Sequence, residues 1–138
     1  MSYTMLVAFA GIAIGVSFIC SILEAVLLST TNAHVAVMEA EEWKVASHWS
    51  EYKDEPERPL TAILTLNTIA HTVGALGVGS EVTRLYQGDP AVEMAMFVAS
   101  ALMTLGILLL SEILPKTLGA LYWKKLSVPT ATLLRILI

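Results

Sequence analysis

The chain has 138 residues, of which 56% are hydrophobic and only 14% are charged, and its formal net charge at pH 7 is −4. A soluble domain usually contains about 25% charged residues, because charge is needed to cover its surface. The composition therefore argues against an ordinary soluble enzyme, a disordered chain or a nucleic-acid-binding protein, and it favours an integral membrane protein. With Cys20 as the single cysteine, a disulfide within the chain is excluded.

Three apolar segments are long enough to cross a membrane, which takes about 20 mostly apolar residues. They cover about residues 3–31, 60–80 and 91–111, and Pro59 stands before the second at a position that suits a helix start. The first segment carries Glu24 as its only formal charge and lacks the basic leading region of a signal peptide. We therefore expect it to be a retained membrane helix.

The connecting segments are short. Residues 32–59 are polar and acidic and have no Gly or Pro in their central part, so we expect short amphipathic helices near the membrane surface. The aromatic residues of this stretch fit the belt that forms at a membrane interface, and they are Trp43, Trp49 and Tyr52. The chain ends at Ile138 inside an apolar stretch, so we expect it to be part of a longer protein.

The basic residues indicate an orientation, because cytoplasmic loops carry an excess of Lys and Arg. Of the eight basic residues, Arg84 lies in the second loop, and the others lie in the first loop or beyond the third apolar segment. We therefore expect a multi-pass protein of the inner or plasma membrane. Its N-terminus would be outside, and residues 32–59 and the C-terminus would be cytoplasmic.

Each apolar segment carries one stripe of polar side chains at helical spacing, and polar groups at membrane depth are costly. The stripes are Ser17, Ser21 and Glu24 on the first segment, Asn67, His71 and Gly74 on the second, and Ser100, Thr104 and Ser111 on the third, with Glu112 beside the last. We expect a helix bundle that turns these stripes toward one another or toward a shared water-filled cavity. The common catalytic motifs are absent from the sequence, so we expect no enzymatic activity.

Pro115 predicts a break in backbone hydrogen bonding near the third stripe. Because proline has no N–H, the carbonyl of Ser111 loses its usual helical partner. Broken helices at membrane depth commonly use such carbonyls to bind cations. The carboxylate of Glu112, the serine hydroxyls and the amide of Asn67 would complete a set of oxygen ligands. Such a set suits Mg²⁺ or Ca²⁺ rather than zinc or copper, and it leaves Na⁺ as an alternative.

These polar residues also have simpler interpretations. Ser, Thr and Asn often serve only as hydrogen-bond partners between membrane helices. His71 is more typical of a hydrogen-bonded core residue than of a ligand, and Lys116 would neutralise Glu112 if the third helix ended there. Glu24 would be hydrated if it lay close to the interface. Gly74 belongs to a pair of small residues that favours close helix packing.

Three motifs follow one another along nearly the whole chain. They are Ser17-x-x-x-Ser21-x-x-Glu24, Leu66-Asn67-Thr68 and Ser111-Glu112-Ile113-Leu114-Pro115-Lys116. Their order and spacing resemble the transmembrane domain of the cyclin-M/CorC family of magnesium transporters. The resemblance implies that residues 1–138 form one all-α integral membrane domain. This domain would have three transmembrane helices, short cytoplasmic-side helices in the first loop and a juxtamembrane helix from about residue 127, cut short at residue 138.

The resemblance also implies a function, namely transport of Mg²⁺, with export from the cytoplasm and coupling to Na⁺ as the leading hypothesis. By position, the implied ligands are Ser17, Ser21, Asn67 and Glu112, with the carbonyl of Ser111. A homodimer formed through this domain is implied as well, as are cytoplasmic CBS domains in a longer chain, which residues 1–138 do not contain. The alternative is a non-transporting membrane module that anchors and dimerises regulatory domains.

Two positions depart from the pattern of the family. Leu23 stands where many bacterial members have a second serine, which removes a hydroxyl from the first motif. Ser111 stands where they often have glycine, which changes how closely another backbone can approach.

Overall fold

The chain is helical almost throughout in the computed structural model, which describes residues 3–138 and contains no β-strand within that range. The helices are α1 (Tyr3–Ser29), α2 (Asn32–Ala40), α3 (Ala46–Asp54), α4 (Glu57–Leu85), α5 (Val92–Gly106), a π-helical turn (Ile107–Ile113), α6 (Leu114–Leu121) and α7 (Trp123–Leu137). The all-α class expected from the sequence is confirmed.

Within the described residues, three helical spans are long and apolar enough to cross a membrane. They are Tyr3–Ser29, Glu57–Leu85 and Val92–Leu121. The prediction of three membrane helices is therefore confirmed, but the predicted end of the third helix at residue 111 is wrong. Pro115 lies in the first turn of α6, where a missing N–H is tolerated, so the helix continues through a π-helical turn rather than ending.

Two further boundaries differ from those expected. The second membrane helix begins at Glu57 rather than at residue 60, because Pro59 falls within its first turn, where no N–H donor is needed. The helix after the third span begins at Trp123 rather than at about residue 127, directly after a bend at Tyr122.

Helix α1 is the centre of the bundle and packs against α4, the π-helical turn, α6 and α7. Two glycines allow its neighbours to come close. A Cβ at Gly74 of α4 would overlap the side chain of Ala13, and one at Gly119 of α6 would lie 2.7 Å from the Cβ of Ala25. The interpretation of Gly74 as a close-packing residue is therefore confirmed. Helix α5, by contrast, has no buried residue.

The largest buried cluster lies where the first-loop helices and α7 pack against the C-terminal half of α1. Trp49 and Tyr52 of α3 are 0% and 4% exposed, so the expectation that they belong to an interfacial aromatic belt is wrong. Their polar atoms donate to carbonyls of α7, from Trp49 Nε1 to Ser127 at 2.9 Å and from the Tyr52 hydroxyl to Ala131 at 3.1 Å. These two bonds explain how polar tips are accommodated in an apolar core.

The side chains at the two ends of the bundle show which segments lie together. At the end where α1 finishes, Lys53 donates to the carbonyl of Leu27 at 3.4 Å, and Lys116 of α6 lies beside Glu24. At the opposite end, Tyr3 and Tyr86 line one apolar cavity of about 310 Å³. The first loop and the last turns of the third span thus lie at the same end.

Candidate cation site

Helix α1 presents two buried serines to the interior of the bundle. Ser17 is 0% exposed and Ser21 is 1% exposed, and they lie one turn apart on the same face. A hydroxyl that is removed from water is unfavourable unless it is hydrogen-bonded. The partners of these two serines therefore define the polar centre of the domain.

Ser17 contacts α4. Its hydroxyl donates to Oδ1 of Asn67 at 2.7 Å, and its oxygen lies 2.6 Å from Nε2 of His71. A hydroxyl has one proton to give, so Nε2 of His71 acts as the donor to the oxygen of Ser17. Asn67 and His71 are one turn apart on α4, as their spacing predicts. His71 is therefore a hydrogen-bonded residue of the bundle interior, in line with the simpler interpretation.

Ser21 contacts the third membrane span where its backbone is irregular. In the π-helical turn the amide of Leu114 bonds to the carbonyl of Leu109, five residues earlier. The carbonyl of Ser111 accepts a hydrogen bond from the hydroxyl of Ser21, since Pro115 has no N–H to offer it. The carbonyl that the sequence predicts to be free thus faces α1. A π-helical turn is rare and often marks a functional position.

Four oxygens therefore come from three elements around the centre of α1. We call them the oxygen cluster, and they are Ser17 Oγ, Ser21 Oγ, Asn67 Oδ1 and the carbonyl oxygen of Ser111. All four come from residues that the sequence singles out as ligand candidates. They form two hydrogen-bonded pairs, and the two serines connect the pairs along one face of α1.

The two departures from the family pattern have separate structural consequences. The side chain of Ser111 is fully buried and donates to the carbonyl of Ile14 at 3.2 Å, which satisfies the additional hydroxyl. Leu23 is 2% exposed and packs in the apolar cluster with Val26 and Leu27. The first departure ties the π-helical turn to α1, and the second adds to the core.

Glu112 follows Ser111 directly and carries the charge nearest in sequence to the oxygen cluster. Its Oε2 lies 3.0 Å from Nζ of Lys116, one helical turn further along. The same Nζ lies 3.5 Å from Oε2 of Glu24 on α1. Lys116 therefore bridges two carboxylates from two helices. The pairing of Lys116 with Glu112 follows from their i, i+4 spacing, whereas nothing local in the sequence signals the pairing with Glu24.

Two predicted stripe residues lie away from this centre. Ser100 and Thr104 of α5 are exposed, although Ser111 on the same predicted stripe is buried. The π-helical turn, which begins after Thr104 and contains Ser111, explains the difference, because an extra residue per turn rotates the residues that follow about the helix axis. The expectation of a continuous polar stripe on the third helix is therefore wrong.

The chemistry of the centre is that of hard ligands. Among residues 3–138, no group of three or more His, Cys, Asp or Glu side chains is arranged to hold a metal ion. The oxygen cluster instead offers hydroxyl, amide and carbonyl oxygens, with a carboxylate in the adjoining residue. Such oxygen donors match the preference of Mg²⁺ and Ca²⁺.

Comparison with known proteins identifies what the chain is similar to. A family model described as the cyclin M transmembrane N-terminal domain matches residues 8–138. The UPF0053 protein sll1254 of Synechocystis sp. is 33% identical over 106 residues, which cover 77% of this chain and 29% of that protein. The chain therefore spans less than a third of the length of this relative.

Proposed function

The chain belongs to the cyclin M transmembrane domain family, and from that premise we propose that it transports Mg²⁺ across a cell membrane. The ion would bind at the oxygen cluster together with the carboxylate of Glu112. The observation that carries the proposal is the contact between Ser21 and Ser111. A carbonyl to which Pro115, four residues ahead, offers no N–H faces a second oxygen inside an apolar bundle, and membrane transporters use such carbonyls for cations. We propose no enzymatic step.

Binding of an ion would replace hydrogen bonds within the cluster. The proton of Ser17 now lies toward Asn67, so coordination by both oxygens requires that proton to turn away. Nε2 of His71, 2.6 Å away, now donates to Ser17, so it could accept that proton only after the ring has moved its own proton to Nδ1. Ion binding at Ser17 would therefore be accompanied by a change of tautomer at His71. Glu112 would supply the negative charge that the hydroxyl, amide and carbonyl oxygens lack.

The direction of transport is proposed as export from the cytoplasm, with Na⁺ as the coupling ion. The orientation that supports it has the N-terminus outside and residues 32–59 with the C-terminus in the cytoplasm. Lys53 and Lys116 both lie at the end of the bundle where α1 finishes, and basic residues favour the cytoplasmic side of a membrane. The membrane would be the inner or plasma membrane of the cell.

Two partners belong to the proposal besides the lipid bilayer. We propose that two copies of the domain pair within the membrane, for which the exposed apolar side chains of α5, such as Phe97 and Leu102, supply surface. We also propose that cytoplasmic CBS domains follow in a longer protein. The relative from Synechocystis sp., of which this chain covers 29%, is long enough for further domains.

Flux of Mg²⁺ into liposomes provides the test. The chain is reconstituted into vesicles that contain a Mg²⁺-sensitive dye, and Glu112→Gln and Asn67→Ala are compared with the unsubstituted protein. Both changes should abolish most of the flux, because each removes one proposed ligand. Glu55→Gln is the matched control, since Glu55 is exposed beyond α3. Equal flux in all four proteins would contradict the proposal, and the same variants in cells that export Mg²⁺ would test the direction.

The second candidate function is a membrane anchor that dimerises regulatory domains without transport. One observation favours it, because each oxygen of the cluster already has a partner within the protein and Glu112 is paired with Lys116. Titration of the purified protein separates the two candidates. A transporter should show a melting temperature that rises with Mg²⁺ and loses this response in Asn67→Ala. An anchor should show no response in either protein.

A further inference from the structure

Lys116 is the only basic residue that the described part of the chain places against Glu112. Its Nζ lies 3.0 Å from Oε2 of Glu112 and 3.5 Å from Oε2 of Glu24. The side chains of Glu24 and Glu112 are 20% and 29% exposed, and that of Lys116 is 43% exposed. One ammonium group thus has two partly buried counter-ions on opposite sides of a helix contact.

The positions of these groups are set by helix packing. Gly119 of α6 lies against α1, where an added Cβ would come within 3.0 Å of the carbonyl oxygen of Ile22 and 2.7 Å of the Cβ of Ala25. This contact is within one turn of both Glu24 and Lys116. Because the backbones are held so closely, Glu24 and Glu112 both stay within reach of the ammonium group of Lys116.

An ammonium group beside Glu112 opposes the binding of a second cation there. A divalent ion needs the carboxylate oxygens of Glu112, and Lys116 occupies one of them. The positive charges of the ion and the lysine also repel each other, more strongly beside these partly buried carboxylates than in bulk water. Glu24 offers the lysine a second counter-ion on α1, so the lysine need not be left unpaired when it moves away.

We infer that Lys116 is a tethered competitor for the proposed cation and that Glu24 sets how strongly it competes. The inference rests on the proposed function, since it assumes that Glu112 binds the ion. In this arrangement Lys116 weakens the site, and Glu24 strengthens it by drawing the lysine away. A transported ion must bind firmly enough to enter a site and weakly enough to leave it. The pair would tune that balance.

Two substitutions should shift the affinity for Mg²⁺ in opposite directions. Lys116→Gln frees Glu112 and should lower the apparent dissociation constant by about fivefold, the scale of a partly exposed ion pair. Glu24→Gln leaves the lysine with Glu112 alone and should raise the constant by a similar factor. The affinity is read from the increase in melting temperature of the detergent-solubilised chain as MgCl₂ is added.

The double variant Glu24→Gln with Lys116→Gln makes the test more specific. If Glu24 acts only through the lysine, the double variant should have the affinity of Lys116→Gln alone. Lys44→Gln and Glu39→Gln are the matched controls for loss of one charge, because both residues are exposed. Their dissociation constants should equal that of the unsubstituted chain.

A purely structural role predicts a different pattern. Both single changes would then lower the melting temperature without Mg²⁺ and would leave the affinity unchanged or weaken it in both variants. Either result would overturn the inference while the unsubstituted chain still responds to Mg²⁺. If the unsubstituted chain does not respond and Glu112→Gln has no effect, the proposed function itself fails. Because Glu24→Gln carries an expectation of its own, the inference remains testable even if Lys116→Gln does not fold.

Discussion

The hydroxyl of Ser21 on α1 donates a hydrogen bond to the carbonyl of Ser111 in the π-helical turn. This carbonyl has no helical donor four residues ahead, because that residue is Pro115. The contact joins this carbonyl, which the sequence alone predicts to lack its usual donor, to α1, which is far away in the chain. It also makes the oxygen cluster depend on one proline.

Replacing Pro115 should restore an ordinary helix at the cost of the site. In Pro115→Ala the new amide competes with Ser21 for the carbonyl of Ser111. The Mg²⁺ concentration needed for a given rise in melting temperature should therefore increase by about tenfold. Stability without Mg²⁺ should stay the same or rise by about 1 kcal/mol, the usual net value of a hydrogen bond. Pro129→Ala in α7 is the control. An unchanged response to Mg²⁺ would show that the free carbonyl is not a ligand.

Ser17 should contribute to stability because it serves two partners. Ser17→Ala leaves both Asn67 and His71 without their shared hydroxyl inside the bundle. We expect a loss of about 1–3 kcal/mol in the free energy of unfolding, the usual penalty for unpaired buried polar groups. Ser47→Ala, at an exposed position of α3, should change stability by less than about 0.5 kcal/mol. Denaturant unfolding in detergent measures both, and equal stabilities would contradict the hydrogen-bond assignment.

Gly119 should be intolerant of a side chain. In Gly119→Ala the added methyl group meets Ala25 at 2.7 Å and the backbone of Ile22 at 3.0 Å. Because backbone atoms cannot move aside as a flexible side chain can, we expect the free energy of unfolding to fall by about 1–3 kcal/mol, which is typical of overpacking. Gly15→Ala on α1 is the matched control, since nothing lies within 4 Å of the added atom. Its stability should be unchanged or higher, and equal losses in both variants would refute the packing argument.

Trp49 should hold α7 against the first-loop helices. Trp49→Phe keeps an aromatic ring in the core but removes the N–H that donates to Ser127 at 2.9 Å. We expect faster hydrogen exchange of the α7 amides. The free energy of unfolding should fall by about 0.5–1.5 kcal/mol for the lost hydrogen bond, and further because the smaller ring fills less of the core. Trp43→Phe removes a bond to Glu41 and no hydrogen bond to α7, so it should leave α7 protection unchanged. Identical exchange in the two variants would disprove this role of Trp49.

Tyr52 should make stability depend on pH above neutrality. Burial raises the pKa of Tyr52 above its ordinary value of 10.0, and the nearby charge of Glu51 raises it further. Because the pKa is higher in the folded than in the unfolded state, the neutral Tyr52 hydroxyl contributes its full stabilisation below about pH 10. That contribution is lost as pH rises through the folded pKa. Stability should therefore fall more steeply above pH 10 in the unsubstituted chain than in Tyr52→Phe. Parallel curves for the two proteins would show that the hydroxyl is not in its buried bond to Ala131.

Several features could be read from the sequence because they are local. The three membrane spans follow from the length of apolar runs, since a backbone in lipid must satisfy its own hydrogen bonds as a helix. The shared face of Ser17 and Ser21 follows from helical periodicity, and the free carbonyl of Ser111 follows from Pro115. The family resemblance drawn from these motifs is borne out by the match over residues 8–138.

Other features were decided by the tertiary structure, because they depend on how each helix is rotated about its axis. That rotation is set by contacts between distant residues, such as the close approach of Ala13 to Gly74. It turns Trp49 into the core and, with the π-helical turn, leaves Thr104 exposed while Ser111 is buried. It also brings Glu24 to Lys116, a pairing between two helices that no local pattern in the sequence indicates.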